Sequence, residues 1–126
     1  MIELLCLQLD CCKIKILLLA TNKENKLIKH IVFWRLNESA YGNDKLTNAQ
    51  ILKDKLLAMQ GKVDGLLKIE VGFDFSNEKD SSDVVLYSEF TNTDALHQYQ
   101  VHPDHEKIKT WIGEVRYERR VVDYKI

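Results

Sequence analysis

The stretch Thr93–Glu114, TDALHQYQVHPDHEKIKTWIGE, decides how the rest of the chain is arranged. It holds the only proline of the chain, Pro103, between His102 and His105, with Tyr99 one helical turn upstream. Proline fixes its own φ, removes a hydrogen-bond donor and pushes the preceding residue out of the α region. His102 is therefore predicted to end one short helix and Pro103 to open the next. Tyr99, His102 and His105 are gathered at the bend, where polar side chains can converge on a pocket.

Working outward, Thr93 is read as the cap of the first short helix, running to Tyr99. Ile108, Trp111, Ile112 and Val115 form the apolar stripe of the second. Asp104 and Glu106 in its first turn suit its positive end. Downstream, VRYERRVVDYKI reads as a strand rich in Val and Tyr. Upstream, VVLYSEF is a strand, joined by the exposed turn SNEKDSSD (76–83) to GLLKIEVGFDF. In that segment Leu67, Ile69, Val71, Phe73 and Phe75 alternate with polar positions, as in a half-buried antiparallel strand. Thr47 with Gln50 three residues later reads as a capping box. Ala49, Leu52, Leu56, Met59 and Val63 then define a helix over about 48–60 that Gly61 ends. Residues 37–44 read as a loop by composition.

LIKHIVFWRL opens this part of the chain as a strand with two apolar faces. Ile28, His30, Val32 and Trp34 lie on one, Ile31 and Phe33 on the other, which suits a central position. The order is β-α-β-β-α-β, the ferredoxin-like α+β arrangement of a four-stranded antiparallel sheet with helices on one side. The uncovered face of such a sheet is apolar enough to require a cover, which predicts a two-fold homodimer forming a barrel-like core.

The composition excludes several alternatives. At 126 residues and 45% hydrophobic the chain suits one modest domain. A formal net charge of −1 without a basic stripe points away from nucleic acid and from an anionic membrane as partners. Cys6, Cys11 and Cys12 all fall in the first twelve residues, which argues against a disulfide framework and fits the cytoplasm. Residues 1–26 form a separate extension, apolar but interrupted by Asp10, Lys13 and Lys15. It reads as neither a membrane span nor a secretory signal. An added strand or helix over 12–20 and a polar linker, TNKENK, are the local expectations.

The span 27–124 resembles the stress-response A/B barrel domain, or Dabb, a family of dimeric α+β barrels. IKHIVFWRL, VDGLLKIEVG with DVVLYSEF, ALHQYQVHPDH and VVDY carry the resemblance, in the family's order. Family members commonly open with methionine at the position of Leu27, so the resemblance implies either a native start at Leu27 from a non-standard codon or a flexible N-terminal extension over residues 1–26.

The resemblance also implies candidate chemistry. A plant polyketide cyclase of the family has its catalytic tyrosine and histidine at positions matching Tyr99 and His105. One of its pocket histidines matches His30, and another falls at Val84. A cofactor-free proton abstraction next to a carbonyl needs a near-neutral base, which His105 would supply, and a donor to the enolate, which Tyr99 would supply. The candidate ligand-binding set is therefore His30, Tyr99, His102 and His105, with Tyr99 and His105 the catalytic pair. His102 has a structural alternative as a helix cap, and the whole bend can equally be a hydrogen-bonded corner.

No metal and no cofactor are expected. Pro103 breaks the register of His97, His102 and His105, and no H-E-x-x-H pattern exists. Trp34 and Trp111 read as core packing, and Arg116, Glu118, Arg119 and Arg120 as a mixed-charge strand surface or dimer rim. Three functions compete: a small-molecule-binding homodimer, a polyketide-cyclase-like lyase, and a monooxygenase-like enzyme of the same architecture, the last by fold analogy alone.

Overall fold

The computed structural model describes residues 27–126. The expectations for residues 1–26, including the cysteines, the added strand or helix, the linker and the alternative start, lie outside the described residues.

Strand β1 (Ile28–Leu36) is followed by two short strands, β2 (Ser39–Ala40) and β3 (Asn43–Asp44), and helix α1 (Lys45–Leu57). Strands β4 (Leu66–Phe73) and β5 (Val84–Phe90) come next, then helices α2 (Thr93–Val101) and α3 (Pro103–Val115) and strand β6 (Arg116–Lys125). The main sheet has the order β4-β5-β1-β6 with antiparallel pairing throughout, so β1 is interior as its two apolar faces predict. This is the ferredoxin-like arrangement expected from the order of elements.

Alternation decides which face meets the helices. Ile28, His30, Val32, Trp34 and Leu36 of β1 are buried. So are Val84, Leu86, Ser88 and Phe90 of β5. Leu52 and Leu56 of α1, Tyr99 of α2 and Ile108, Ile112 and Val115 of α3 close over them. On the reverse face, Phe33, Val122 and Tyr124 are exposed and Ile31, Val85 and Tyr87 half-buried. No element of the described residues covers that side.

Three sequence expectations need correction. First, α1 begins at Lys45, not near Asn48, and its cap is Asp44, whose Oδ1 accepts from the Thr47 N–H at 2.8 Å; Thr47 is inside the helix. The cause is the β2–β3 hairpin in the segment read as a loop. Its two turn residues, Tyr41 (φ 53°) and Gly42 (φ 74°), both adopt positive φ, the requirement of a tight primed turn, and deliver Asp44 to the helix start. Buried Asn48 ties the pieces together by donating to the Ala40 carbonyl at 3.0 Å. The helix also ends earlier than expected, at Leu57, and Gly61 (φ 84°) lies in the turn beyond it.

Second, α2 is capped by Asn92, whose Oδ1 accepts from the Ala95 N–H at 2.8 Å, and Thr93 is its first helical residue. Third, the apolar alternation of β4 slips at its start. Leu66 pairs with Phe90 and Lys68 with Glu89, leaving Leu67 as the extra residue of a bulge. Leu66 is buried in place of Leu67, which is exposed. Phe75, read as part of the inner face, lies beyond the strand and is 97% exposed.

A cavity between the sheet and helix α3

The bend forms where Pro103 predicts it. His102 is extended (φ −61°, ψ 136°), ends α2 and caps α3. Its backbone N–H donates to the Tyr99 carbonyl at 3.2 Å, and its Nδ1 accepts from the Asp104 N–H at 3.0 Å. A ring nitrogen that accepts must carry its lone pair, so the His102 proton sits on Nε2. This side chain is occupied in holding two helices, and it does not reach the cavity described below.

His105, in the first turn of α3, turns back to the end of α2. Its Nδ1 lies 3.2 Å from the Gln100 carbonyl, an acceptor left open by the helix end. Nδ1–H therefore donates and Nε2 keeps its lone pair. Burial, the largest influence, pulls the imidazole down to about 4, although the Gln100 carbonyl pulls the other way. His105 is thus neutral at physiological pH.

His30 stands on β1 facing the helices. Its register partner on β6 is Asp123, whose Oδ1 lies 2.5 Å from His30 Nδ1. The carboxylate fixes Nδ1–H and leaves Nε2 as the second free ring nitrogen. Tyr99 packs between these groups. Its ring centroid is 4.3 Å from that of His105, 5.2 Å from Phe90 and 6.2 Å from His30. The phenol is completely buried, its hydroxyl has no hydrogen-bond partner among the described residues, and burial pushes its pKa far up, so it stays protonated.

Beside this cluster lies a cavity of about 330 Å³. Its apolar wall consists of Val32, Leu56, Leu86, Ile108 and Ile112, contributed by β1, α1, β5 and α3. His30 and His105 line it, and Tyr99 does not. Of the four sequence candidates, the fold brings His30, Tyr99 and His105 together, puts two of them on the cavity wall, and assigns His102 to the helix junction.

The remaining lining residues, Trp34, Lys109, Arg116 and Arg119, were not read as site residues from sequence. Two of them, Arg116 and Arg119, are three apart in β6, a spacing that normally puts side chains on opposite faces. Here Leu36 pairs with Arg116 and Arg35 with Glu118, so Tyr117 is the extra residue of a bulge and both arginines share the inner face. Among the described residues no group of three or more His, Cys, Asp or Glu side chains is arranged to hold a metal ion. No helix there is long and apolar enough to cross a membrane.

A four-stranded ferredoxin-like sheet with a lined cavity under its helices defines a class of small α+β barrel proteins. The chain belongs to the stress responsive A/B barrel domain family, whose model matches residues 28–126. Among solved structures it is similar to a dimeric protein of unknown function with a ferredoxin-like fold from Bacteroides fragilis. Identity is 32% over 79% of this chain and 96% of that one, with a TM-score of 0.69. It is also similar to a Dabb family protein with a ferredoxin-like fold from Mesorhizobium loti, at 24% identity over 79% and 95% and a TM-score of 0.59. A hydroxynitrile lyase from Passiflora edulis shares the fold at 14% identity over 81% and 94%, with a TM-score of 0.69. No curated protein matches the chain.

Proposed function

We propose that the protein is a homodimeric small-molecule-binding protein of this family, acting in the cytoplasm, with its ligand held in the cavity between the sheet and α3. The observation that carries this reading is the cavity itself: about 330 Å³, walled by aliphatic side chains and carrying two imidazoles, each anchored through Nδ1 and open at Nε2. A few placed polar groups on an apolar wall are what a ligand site needs for affinity and orientation.

The dimer follows from the reverse face, where Phe33, Val122 and Tyr124 stand exposed on a sheet that its own helices leave bare. A structure at 32% identity is described as dimeric, which supports the same assembly here. Light scattering on the chain should give twice the protomer mass, and Phe33→Glu should halve it; a monomeric parent protein sinks this part of the proposal.

The binding test is a thermal-shift series of the protein with small phenolic acids and β-keto compounds, repeated with His105→Ala. A ligand of the folded state raises apparent stability by mass action. A shift in the parent that disappears in a folded His105→Ala variant supports the cavity; a shift unchanged in that variant places the ligand elsewhere.

A second reading, cofactor-free proton transfer, rests on the Tyr99–His105 contact. Neutral His105, held by burial at about 4 and so a weaker base than the near-neutral one this chemistry calls for, would take a proton next to a carbonyl through Nε2, and the Tyr99 hydroxyl, which has no bond to give up, would donate to the enolate oxygen. Because Tyr99 lies behind the cavity wall, the ligand's carbonyl must enter between His30 and His105. Tyr99→Phe should then retain ligand binding and lose turnover. Turnover retained by that variant refutes the role of the phenol. No residue of the cavity singles out the monooxygenase-like alternative.

A further inference from the structure

The cavity carries a concentration of positive charge that its neighbours leave unanswered. Lys109 is paired, its Nζ 2.9 Å from Glu106 Oε1. Arg116 and Arg119 have no carboxylate partner among the described residues, although Arg35 and Arg120 nearby both reach Glu118. The buried Nε of Arg116 has no hydrogen-bond partner among the described residues. Trp34, 5% exposed and opposite Arg119 in the sheet, likewise has a buried indole N–H without a partner. Burying a donor without a partner costs stability, so two in one cavity wall need an explanation. The β6 bulge at Tyr117 makes the cluster, since regular alternation would turn one arginine away.

We infer that this end of the cavity is a carboxylate-binding site, formed by Arg116, Arg119 and the Trp34 indole, and that the ligand is a compact organic acid whose apolar body lies on Leu86, Ile108 and Ile112. The inference rests on the proposed ligand-binding role of the cavity and adds the chemical class of the ligand. Guanidinium groups match a carboxylate through paired N–H donors, and a partly enclosed site strengthens the contact relative to water. An acid of this kind meets every open group: its oxygens take the unpartnered Arg116 and Trp34 donors, and its chain covers the aliphatic wall. The His30 and His105 imidazoles on the same wall then face the ligand, and neutral His105 offers Nε2 as an acceptor suited to a hydroxyl or carbonyl-adjacent proton.

The test is isothermal titration of the full chain with hexanoate and benzoate, each paired with its uncharged amide, at low and high salt. The acids should bind at least about tenfold more tightly than the amides, with the preference shrinking as salt rises. Arg119→Gln, an exposed position on the edge strand, should lower acid affinity by about tenfold and amide affinity by much less, so that the preference for the acid collapses; Arg116→Gln should do the same. Circular dichroism and the melting transition of each variant verify that it is folded. Amides that bind as well as acids, or arginine variants with unchanged acid affinity, overturn the carboxylate site while leaving the cavity as a binding site. A folded parent protein that binds neither acids nor amides overturns the cavity reading together with it.

Discussion

The rings of Tyr99 and His105 lie 4.3 Å apart and inclined by 50°, yet only the imidazole reaches the cavity. The two residues come from different helices, and the Pro103 junction brings them together. His105 is anchored through Nδ1 to the Gln100 carbonyl, while the phenolic hydroxyl behind it is bonded to nothing. One group is therefore positioned and open; the other is positioned and unsatisfied.

That difference makes Tyr99→Phe informative for stability. Deleting a buried hydroxyl that lacks a partner removes a desolvation cost and no hydrogen bond. Urea denaturation should show stability unchanged or raised by up to about 1–2 kcal/mol. A loss of comparable size would mean that the hydroxyl is bonded in solution, through a water or a shifted neighbour.

The pH dependence of folding should carry the signature of His105. Burial holds its imidazole at about 4 in the folded protein; after the opposing Gln100 carbonyl, Lys109 and His30 add to the lowering and Glu106 opposes it. In the unfolded chain a histidine titrates near 6.5. As pH falls from about 6.5 to about 4, the unfolded chain takes up a proton that the folded protein refuses, so stability declines through that window. Above it the residue contributes nothing. Allowing for partial solvent access, the loss is on the order of 2 kcal/mol. Asp44, Asp74 and Asp104 are held below their ordinary 3.8, so their stabilising contributions fall away below the histidine window. Comparing urea midpoints at about pH 7.5 and about pH 4.5, His105→Gln should lose less stability than the parent. Equal losses would show that the imidazole titrates as an ordinary one.

Much of the fold was legible because two periodicities are simple. The run from Ile28 to Trp34 has two apolar faces, and β1 is the interior strand they imply. The Pro103 junction was readable because proline constrains itself and His102. His30 and His105 were found through the family pattern, and the fold gives both a place on the cavity wall. What escaped depends on single-residue insertions into the ladder. A bulge at Leu67 reverses which leucine is buried, and a bulge at Tyr117 turns Arg116 and Arg119 to one face, which their mixed-charge run, read as a strand surface or dimer rim, does not reveal. The α1 cap escaped for a different reason. Asp44 and Thr47 are both competent caps, and the choice is made by the β2–β3 hairpin, whose turn needs a tyrosine at positive φ.

Two glycines that look alike in sequence should respond oppositely to alanine. Gly65 has φ 87°, and an added Cβ would sit 2.6 Å from both Ala95 Cβ and Thr91 Oγ1. Strain and overlap together should cost at least about 2 kcal/mol in Gly65→Ala. Gly113 lies within α3 with nothing within 4 Å of its added Cβ. Gly113→Ala should therefore raise stability by roughly 0.5–1 kcal/mol through helix propensity. Thermal melts of the two variants decide this; a stable Gly65→Ala would mean that the β4 entry can re-form without its left-handed residue.

His102 separates a positioning role from a ligand role. Its Nδ1 caps α3 through the Asp104 N–H, and its ring is absent from the cavity wall. His102→Ala should cost about 1 kcal/mol, the usual effect of losing an N-cap. His102→Asn, which retains a cap acceptor, should recover most of that loss. Neither variant should change the affinity for small organic acids measured well below the melting transition, because neither touches the cavity. His105→Gln should show the opposite pattern, with weakened binding and a fold intact at neutral pH. If His102→Asn restored stability but not binding, the imidazole of His102 would belong to the ligand site after all, and the division of labour across Pro103 would have to be redrawn.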